Sequence, residues 1–450
     1  MEHAFDIVVI GTGVGGSSVA YKCQSAGWKI AIVDSRPFGG TCVLRGCDPK
    51  KVLVGAADAH DWNLRMRERG IFPAVSEIDW GALMRFKRQF TESVPQKREE
   101  GFARAGIQAF HGRARFTNRN SLEIGHDRLT TRHFVIASGA MPVPLGIPGE
   151  EYLTTSEQFL NLERLPPRVV FVGGGYISFE FAHVAAQAGA QVTILDRGKR
   201  PLTRFEPHLV DMLMATCRDR GMDIRTETAV ENVEKTEDGF VVTARQQGVE
   251  QRFEADLVVH GAGRVPEIGD LGLDRAGIAH DRNGVTVNDY LQSTTNPSVY
   301  AAGDAAGTPG MPLTPVGRME AEVAAENLLH GNRRKPIYEG VPTVVFTDPP
   351  LASVGMREDE AAAQKLKFHV QDQDTSQWYS SRRLGISRSG SRILTEDETD
   401  RILGAHLFGP NAEEVVNLFG LAIRSGLTAA ALRQMVYSYP SSCSDIPSML

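Results

Sequence analysis

The sequence predicts an α/β protein with two Rossmann-like dinucleotide-binding domains and a third, α+β domain at the C-terminus. A length of 450 residues is too great for one hydrophobic core and suggests about three domains. A pattern of strand, glycine-rich loop, helix, strand and acid occurs twice. After about residue 335 the pattern changes to strands and amphipathic helices without a glycine fingerprint, which indicates a different third domain.

The first copy of the pattern begins with the apolar run Phe5–Ile10, which is typical of a buried parallel strand. Gly11 permits a tight turn, Gly13 lets the backbone approach a pyrophosphate, and Gly16 lets helix and strand pack closely. The helix N-terminus would attract phosphates. The second strand ends at Asp34, where an acid can accept hydrogen bonds from ribose hydroxyls.

The second copy begins with the strand Arg168–Val172 and continues through the loop Gly173–Ser178 to a strand that ends at Asp196. Ser178 replaces the third glycine, and a small residue there weakens the match without breaking it. A single glycine loop would be weak evidence. Two copies with every part in order favour two nucleotide sites over ordinary glycine-rich turns.

Composition and charge narrow the function classes. A net charge of −6 and a pI near 6.1 give no electrostatic reason to expect nucleic-acid binding. No apolar run reaches the length of a membrane span, and no signal peptide is visible, so a cytoplasmic protein is expected. Five cysteines are too few for a disulfide scaffold. A disulfide in this chain would therefore be catalytic rather than structural.

Two of these cysteines, Cys42 and Cys47, lie in a glycine-containing segment after the first strand pair. In an ideal helix, residues five apart have Cα atoms roughly 8.7 Å apart, which exceeds the limit of about 7 Å for a disulfide. If these cysteines pair, the segment cannot be a regular helix, and Gly46 offers the freedom to distort. Two free thiols remain the alternative at this point.

The segment Gly39-Gly40-Thr41-Cys42, followed by Gly46-Cys47-Asp48-Pro49-Lys50, resembles the redox signature of the pyridine nucleotide–disulfide oxidoreductases. That family includes glutathione reductase, dihydrolipoamide dehydrogenase and mercuric reductase. The resemblance covers nearly the whole chain in order. It rests on both glycine loops and on the segments Ala137–Gly139, Gly263–Pro266, Ala302–Asp304, Leu313–Val316 and Pro342–Phe346.

The resemblance implies an order of domains and a homodimer. The expected parts are an FAD-binding domain over 1–150, an NAD(P)-binding domain over 151–264, a second FAD-binding part over 265–334 and a dimerisation domain over 335–450. FAD and either NADPH or NADH are the expected cofactors.

The resemblance also implies which residues bind these cofactors. Gly11, Gly13, Gly16, Asp34 and Asp304 are expected to hold FAD, with Asp304 on the ribityl chain. Thr314 would begin a helix whose N-terminus faces the flavin's pyrimidine edge and stabilises negative charge there. The remaining cofactor-binding residues expected are Gly40, Thr41, Ser138, Gly139, Gly173, Gly175, Tyr176, Asp196, Arg197, Gly263 and Arg264.

The same resemblance implies the catalytic roles. Cys47 would be the thiol against the flavin, and Cys42 the interchange thiol that meets substrate. Lys50 would pair with Glu180 beside the flavin, where a cation stabilises the reduced flavin and the Cys47 thiolate. Glu180 could otherwise be a surface acid on its helix, but its place five residues after Gly175 favours the first interpretation.

The chain departs from the family pattern near its C-terminus. Disulfide-reducing members have a His-Pro segment with a Glu five residues after the His, and that His is the general acid of the partner's site. Here Tyr439 and Ser444 occupy these positions, with Asp445 next in the chain. Tyrosine is a poor proton shuttle near neutral pH, so efficient reduction of glutathione-type or lipoyl disulfides is in doubt. Tyr439 is expected to face the active site of the other subunit.

Two further points stay open. Cys443 is read as a buried thiol rather than a metal ligand, although its position near Tyr439 keeps a metal role possible, and no metal site is predicted. Asp196 favours NAD, whereas Arg197 matches the arginine that binds the 2′-phosphate of NADP, with basic residues close behind it. We therefore expect the protein to prefer NADPH and to accept NADH as well.

The leading hypothesis is an FAD enzyme that passes electrons from NAD(P)H through the Cys42–Cys47 disulfide to a small, thiol-reactive acceptor such as an atypical disulfide. One alternative is a metal-ion reductase of the mercuric type. Another is a flavoprotein of low turnover that serves as a redox sensor or binding partner.

Overall fold

The computed structural model describes residues 1–70 and 77–450. These residues divide into two compact units. The first comprises Met1–Pro49, Phe86–Val143 and Arg264–Tyr338, and the second comprises Lys50–Arg85, Pro144–Gly263 and Glu339–Leu450.

The centre of the first unit is a seven-stranded sheet. Its middle strand, Glu2–Ile10, pairs in parallel with Ile30–Asp34 on one side and with Asp127–Ile136 on the other. The side chains of Ile7 and Val9 enter one hydrophobic cluster, and those of Val8 and Ile10 enter another. The strand is therefore buried on both faces, as expected for a parallel sheet covered by helices. The other strands of the sheet are Gln108–His111, Arg115–Asn118, Ser121–Ile124 and Val299–Ala301.

Helices and small sheets complete the first unit. Its helices are Val14–Ser25, Gly40–Arg45, Val94–Arg104 and Thr314–His330, and the helix Cys47–Met66 begins here and continues into the second unit. A two-stranded sheet joins Ala140–Pro142 to Arg264–Pro266. A three-stranded sheet joins His280–Asp281, Gly284–Thr286 and Ala306–Gly307.

The second unit contains three sheets. A parallel sheet has the order Asp223–Arg225, Gln191–Leu195, Arg168–Val172 and Leu257–His260. An antiparallel sheet consists of Thr228–Thr236, Gly239–Gln246 and Val249–Ala255. A five-stranded antiparallel sheet has the order Thr343–Val345, Leu351–Gly355, Ile402–Phe408, Gly390–Glu396 and Phe368–Asp374. The helices that complete the unit are Ser156–Phe159, Tyr176–Gln187, Pro207–Asp219, Glu358–Ala363, Tyr379–Arg382, Ala412–Ser425, Ala429–Gln434 and Ile446–Met449, while Trp80–Arg88 spans both units.

The predicted α/β architecture is confirmed, and only the extents of elements differ. The first strand begins at Glu2 rather than Phe5, because residues from Glu2 onward already pair with the strand that begins at Asp127. The predicted run from Ser298 to Asp304 is a strand only over Val299–Ala301, and Asp304 lies in the 3₁₀ turn Gly303–Ala305. The numerical domain boundaries stay predictions. Across residues 1–70 and 77–450, no helix is long and apolar enough to cross a membrane.

Candidate functional site

The first glycine loop leaves no room for side chains at two of its three predicted glycines. Gly11 has φ +108°, and a Cβ there would lie 2.2 Å from the carbonyl oxygen of Ala137. A Cβ on Gly16 would lie 1.9 Å from the carbonyl oxygen of Gly11. Gly13 directly precedes the helix Val14–Ser25, so the loop ends at a helix N-terminus with free backbone N–H groups.

The segment before the cysteines packs against this loop. Gly40 has φ +74°, and a Cβ on it would lie 2.3 Å from the Cα of Gly13. Asp34, at the end of its strand, accepts hydrogen bonds from Thr12 N (2.8 Å) and Thr12 Oγ1 (2.6 Å). The Thr12 hydroxyl in turn accepts the N–H of Gly39 at 3.2 Å. One strand-end acid thus fixes the glycine loop and the start of the cysteine segment together.

Three more of the predicted cofactor-binding residues lie in the first unit. Ser138 Oγ is buried and has no hydrogen-bond partner in the part of the chain that the structure describes. Gly139, next to it, has φ +78°. Burial raises the pKa of Asp304, while the nearby Arg264 opposes that rise. The glycine loop, the orphaned hydroxyl and the buried acid fit a dinucleotide, whose phosphates and hydroxyls would satisfy them.

The cysteine segment is helical but interrupted between its two cysteines. Thr41 and Cys42 lie in the helix Gly40–Arg45, and Cys47 begins the helix Cys47–Met66. Gly46 between them has φ −146° and ψ −115°, which is not helical. The distortion that a disulfide between these cysteines would require is therefore present at Gly46. Both cysteines are thiols in this structure.

Thr314 brings the two thiols together. Its hydroxyl donates a hydrogen bond to Cys42 Sγ at 2.9 Å and lies 3.5 Å from Cys47 Sγ. A hydrogen bond with Cys47, and then burial, raise the pKa of the Cys42 thiol above its usual range. Thr314 is the first residue of the helix Thr314–His330, as the sequence predicts. Its contact with both sulfur atoms was not predicted, because that contact joins parts of the chain more than 260 residues apart.

The second glycine loop has a similar geometry in the second unit. Gly173 has φ +101°, and a Cβ there would lie 2.5 Å from the Cα of Ala262. Gly175 directly precedes the helix Tyr176–Gln187. Ser178, which replaces the third glycine, is fully buried and fits because its partner is Gly261, where a Cβ would lie 1.9 Å from Ser178 Oγ. The substitution is thus accommodated by a glycine 83 residues further along.

Asp196 is turned into this loop rather than outward. Its carboxylate accepts backbone hydrogen bonds from Gly198 and Gly174, while burial raises its pKa. Arg197, the next residue, is exposed, and so is Tyr176 at the start of the helix. Arg200 is exposed too, but it forms two hydrogen bonds of 3.0 Å with Asp211. Gly263, with φ +111°, follows the last strand of this sheet.

Lys50 and Glu180 form a buried ion pair in the second unit. The Nζ–Oε2 distance is 2.7 Å, and the side chains are 12% and 3% exposed. The backbone N–H of Phe346 donates to the other carboxylate oxygen of Glu180 at 2.9 Å. The Phe346 ring centre lies 4.7 Å from Lys50 Nζ and 4.3 Å from Lys51 Nζ. The sequence marks Phe346 only as part of a family motif, because a contact through the backbone leaves no signal in the sequence.

The C-terminal residues do not form an acid–base pair within one chain. The side chain of Tyr439 is exposed. Ser444 Oγ donates to the carbonyl of Ser441 at 2.6 Å, and Asp445 accepts the hydroxyl of Ser380. Neither is directed at Tyr439 by a hydrogen bond in the described residues. Cys443 is half-buried in the hydrophobic cluster of this region, and burial raises its pKa. No cluster of three or more possible metal ligands occurs in residues 1–70 and 77–450.

Two models of one protein family match the sequence over most of the chain. The model described as pyridine nucleotide-disulphide oxidoreductase matches residues 5–325. The model for the dimerisation domain of the same family matches residues 341–449. The chain therefore belongs to the pyridine nucleotide-disulphide oxidoreductase family. This family uses FAD and NAD(P)H, and the dimerisation domain indicates a homodimer.

Individual relatives have different activities in their names. The chain is 29% identical to a glutathione reductase from Nostoc sp., over 100% of both chains. It is 30% identical to a mercuric reductase from Bacillus cereus, over 97% of this chain and 70% of that one. A solved structure of the HOCl-induced flavoprotein disulfide reductase RclA from Escherichia coli, in complex with Cu(II), has a TM-score of 0.88 and 27% identity, with 99% of both chains covered. The relatives share the flavoprotein class but do not define one acceptor.

Proposed function

We propose that this chain passes two electrons from NADPH, or from NADH, to its Cys42–Cys47 disulfide and then to a small thiol-reactive acceptor, with an atypical disulfide as the first candidate. The observation that carries this proposal is the thiol pair held by the Thr314 hydroxyl at 2.9 and 3.5 Å. When bound, FAD and the nicotinamide nucleotide supply the hydride transfer and the storage of two electrons.

The electron balance of a disulfide acceptor assigns one role to each cysteine. Two electrons and two protons cleave the Cys42–Cys47 bond and give two thiols. The thiolate of Cys42 attacks the acceptor, forms a mixed disulfide and releases one acceptor thiol. Cys47 then attacks the sulfur of Cys42, restores the internal disulfide and releases the second thiol. The raised pKa of Cys42 slows the first attack, because only the thiolate is nucleophilic.

The buried Lys50–Glu180 pair supports the role of Cys47. Lys50 lies three residues after Cys47 on one helix, a spacing that favours the same helical face. A cation beside a cysteine stabilises its thiolate. Glu180 and the amide of Phe346 hold Lys50 in one place, so the charge is fixed before the thiolate forms.

The second glycine loop supports a preference for NADPH. Two backbone N–H groups already use the carboxylate of Asp196, which leaves it a weaker acceptor for ribose hydroxyls. Arg197 is exposed beside it, and an arginine–phosphate contact is a strong, charge-assisted one. NADH is the second choice, because it differs from NADPH only in lacking the 2′-phosphate.

The tyrosine at position 439, where disulfide-reducing relatives have a histidine, supports the proposal that the acceptor is atypical. We place it opposite the Cys42 of the partner subunit, where it would donate a hydrogen bond to an acceptor. Its exposure in a single chain supports a position at an interface. Since neither Ser444 nor Asp445 is oriented toward it, Tyr439 would not exchange protons as an oriented histidine does.

A second candidate function is the reduction of a thiol-binding metal ion. It is favoured by the mercuric reductase relative and by the Cu(II) complex of the RclA structure. Reduction of a metal ion needs no general acid, so a tyrosine at position 439 would not impair it. A third candidate, a redox sensor of low turnover in the cytoplasm, predicts NAD(P)H consumption with an artificial acceptor alone.

One anaerobic experiment separates these candidates. FAD-loaded protein is reduced with NADPH and then offered a panel of disulfides, the ions Cu(II) and Hg(II) and an artificial electron acceptor, with Cys42→Ser as control. The proposal expects steady turnover with at least one disulfide, which the Cys42→Ser variant loses. Turnover with metal ions only would favour the second candidate. Turnover with an artificial acceptor alone, equal in the control, would contradict both.

A further inference from the structure

Glu320 is a fully buried acid that no step of the proposed reaction uses. It lies on the helix Thr314–His330, and it is only 1% exposed. Burial raises the pKa of Glu320, and three hydrogen bonds to the carboxylate oppose that rise. A buried carboxylate destabilises a fold unless such partners compensate it. This concentration of donors on one acid indicates a specific structural task.

One carboxylate oxygen of Glu320 holds the turn that carries Asp304. The backbone N–H of Gly303 donates to Glu320 Oε2 at 2.7 Å. Gly303 has φ +68°, a conformation that favours glycine, and it begins the 3₁₀ turn Gly303–Ala305. A Cβ on Gly317, one turn before Glu320 on the helix, would lie 3.3 Å from the Cα of Gly303. The helix backbone and the carboxylate of Glu320 therefore both contact the turn and hold it in place.

The other carboxylate oxygen holds the connection that leads from this turn to Thr314. Thr308 Oγ1 donates to Glu320 Oε1 at 2.7 Å, and the hydroxyl of Tyr338 donates to the same oxygen at 2.8 Å. Gly310 lies against this cluster, since a Cβ there would be 2.6 Å from the Tyr338 ring and 3.0 Å from Glu320 Oε1. The residues between Asp304 and Thr314 thus wrap around one buried carboxylate.

We propose that Glu320 is a positioning residue for the flavin site, which fixes Asp304 through the N–H of Gly303 and fixes the start of the helix at Thr314 through Thr308 and Tyr338. This inference rests on the proposed function and on the expectation from the sequence that Asp304 binds the ribityl chain of FAD. Glu320 itself touches neither the cofactor nor the acceptor. Its effect on FAD is exerted through Asp304 and the helix N-terminus.

The test measures FAD affinity by flavin fluorescence in apoprotein of the wild type and of Glu320→Gln. Loss of the carboxylate weakens hydrogen bonds to a charged group, and we expect the Kd for FAD to rise about 10-fold or more. The matched control is Glu322→Gln, because Glu322 lies on the same helix but pairs with Arg318 at the surface. The control should leave the Kd within about twofold of the wild type.

A double-mutant cycle distinguishes positioning from general stability. If Glu320 acts through Asp304, the loss in Asp304→Asn combined with Glu320→Gln is smaller than the product of the single losses. The visible absorption bands of bound FAD should also shift in Glu320→Gln, whereas a structural role alone would lower only the unfolding midpoint. Independent effects with unshifted bands would overturn the inference.

Two further results keep the inference separate from the proposal on which it rests. If Asp304→Asn binds FAD as the wild type does, the proposed role of Asp304 is wrong. If Asp304→Asn weakens binding but Glu320→Gln does not, only the role of Glu320 is wrong. Should Glu320→Gln fail to fold, Tyr338→Phe removes one donor to the same oxygen. It should raise the Kd by at least about twofold, and an unchanged Kd would count against the inference.

Discussion

The Lys50–Glu180 pair allows stability and reactivity to be separated by mutation. In Lys50→Met the carboxylate of Glu180, which is 3% exposed, keeps the N–H of Phe346 but loses its cation. Removal of one partner from a buried ion pair destabilises proteins by about 3–5 kcal/mol. Because one hydrogen bond to Glu180 survives, we expect the lower end, about 3 kcal/mol, in the free energy of unfolding.

A second mutation, Glu180→Gln, should recover much of the stability that Lys50→Met loses. In the double variant no charge is left buried, and the new side-chain amide oxygen can still accept the N–H of Phe346. We therefore expect the double variant to be about 2 kcal/mol more stable than Lys50→Met alone. Urea unfolding of each variant measures these differences. Lys51→Met is the matched control, because Lys51 is exposed and contacts the same ring, and it should cost less than about 1 kcal/mol.

The reactivity of Cys47 should not recover in the double variant, although the stability of the fold does. Lys50 is the cation proposed to stabilise the Cys47 thiolate, so both Lys50→Met and the double variant should alkylate Cys47 about tenfold more slowly, the equivalent of about 1.4 kcal/mol. The measurement is the rate of iodoacetamide modification in reduced protein, read by peptide mass spectrometry. If Lys50→Met loses no more stability than Lys51→Met, or if alkylation recovers in the double variant, the reasoning is wrong.

Three further predictions follow from single side chains. Arg197→Ala should lower kcat/KM for NADPH by about 10- to 150-fold, since a charge-assisted contact contributes about 1.5–3 kcal/mol, and equal losses with NADH would refute the 2′-phosphate contact. Burial and the neighbouring Asp61 raise the pKa of Asp348 from 3.8 to about 8. The proton on Asp348 therefore stabilises the fold at low pH, and this contribution is lost as pH rises through about 8. The urea midpoint should fall between about pH 4 and 8 in the wild type and less in Asp348→Asn, and equal slopes would contradict this. Tyr439→Phe should impair reduction of the acceptor but not flavin reduction by NADPH, and rapid-reaction kinetics showing both or neither impaired would contradict its proposed place.

The sequence predicted the parts of the site that depend on local patterns. Both glycine loops were found because the turn, the helix start and the strand-end acid lie within about 30 residues, as the dinucleotide-binding unit requires. An interruption near Gly46 was predicted from the helical distance between the two cysteines for the case that they pair, and the backbone at Gly46 is not helical. The α/β fold class followed from the same patterns.

The contacts that complete the site were not predictable in this way. The amide of Phe346 reaches Glu180 across 166 residues of sequence, and any residue except proline could supply it. Ser178 was read as a weakened glycine motif, whereas the space it needs is provided by Gly261. Glu320 is one acid among several on its helix, so the sequence does not single it out, and only the structure shows its three donors.

In the proposed reaction, Cys42 and Cys47 form the redox centre between flavin and acceptor. The most direct measurement is anaerobic reduction of the FAD-loaded, oxidised protein by one equivalent of NADPH, followed by alkylation and peptide mapping. We predict two newly modified cysteines, at positions 42 and 47, with the flavin still oxidised and a long-wavelength absorption band that Cys47→Ser abolishes. Bleaching of the flavin without new thiols, or a band that survives in Cys47→Ser, would contradict the claim.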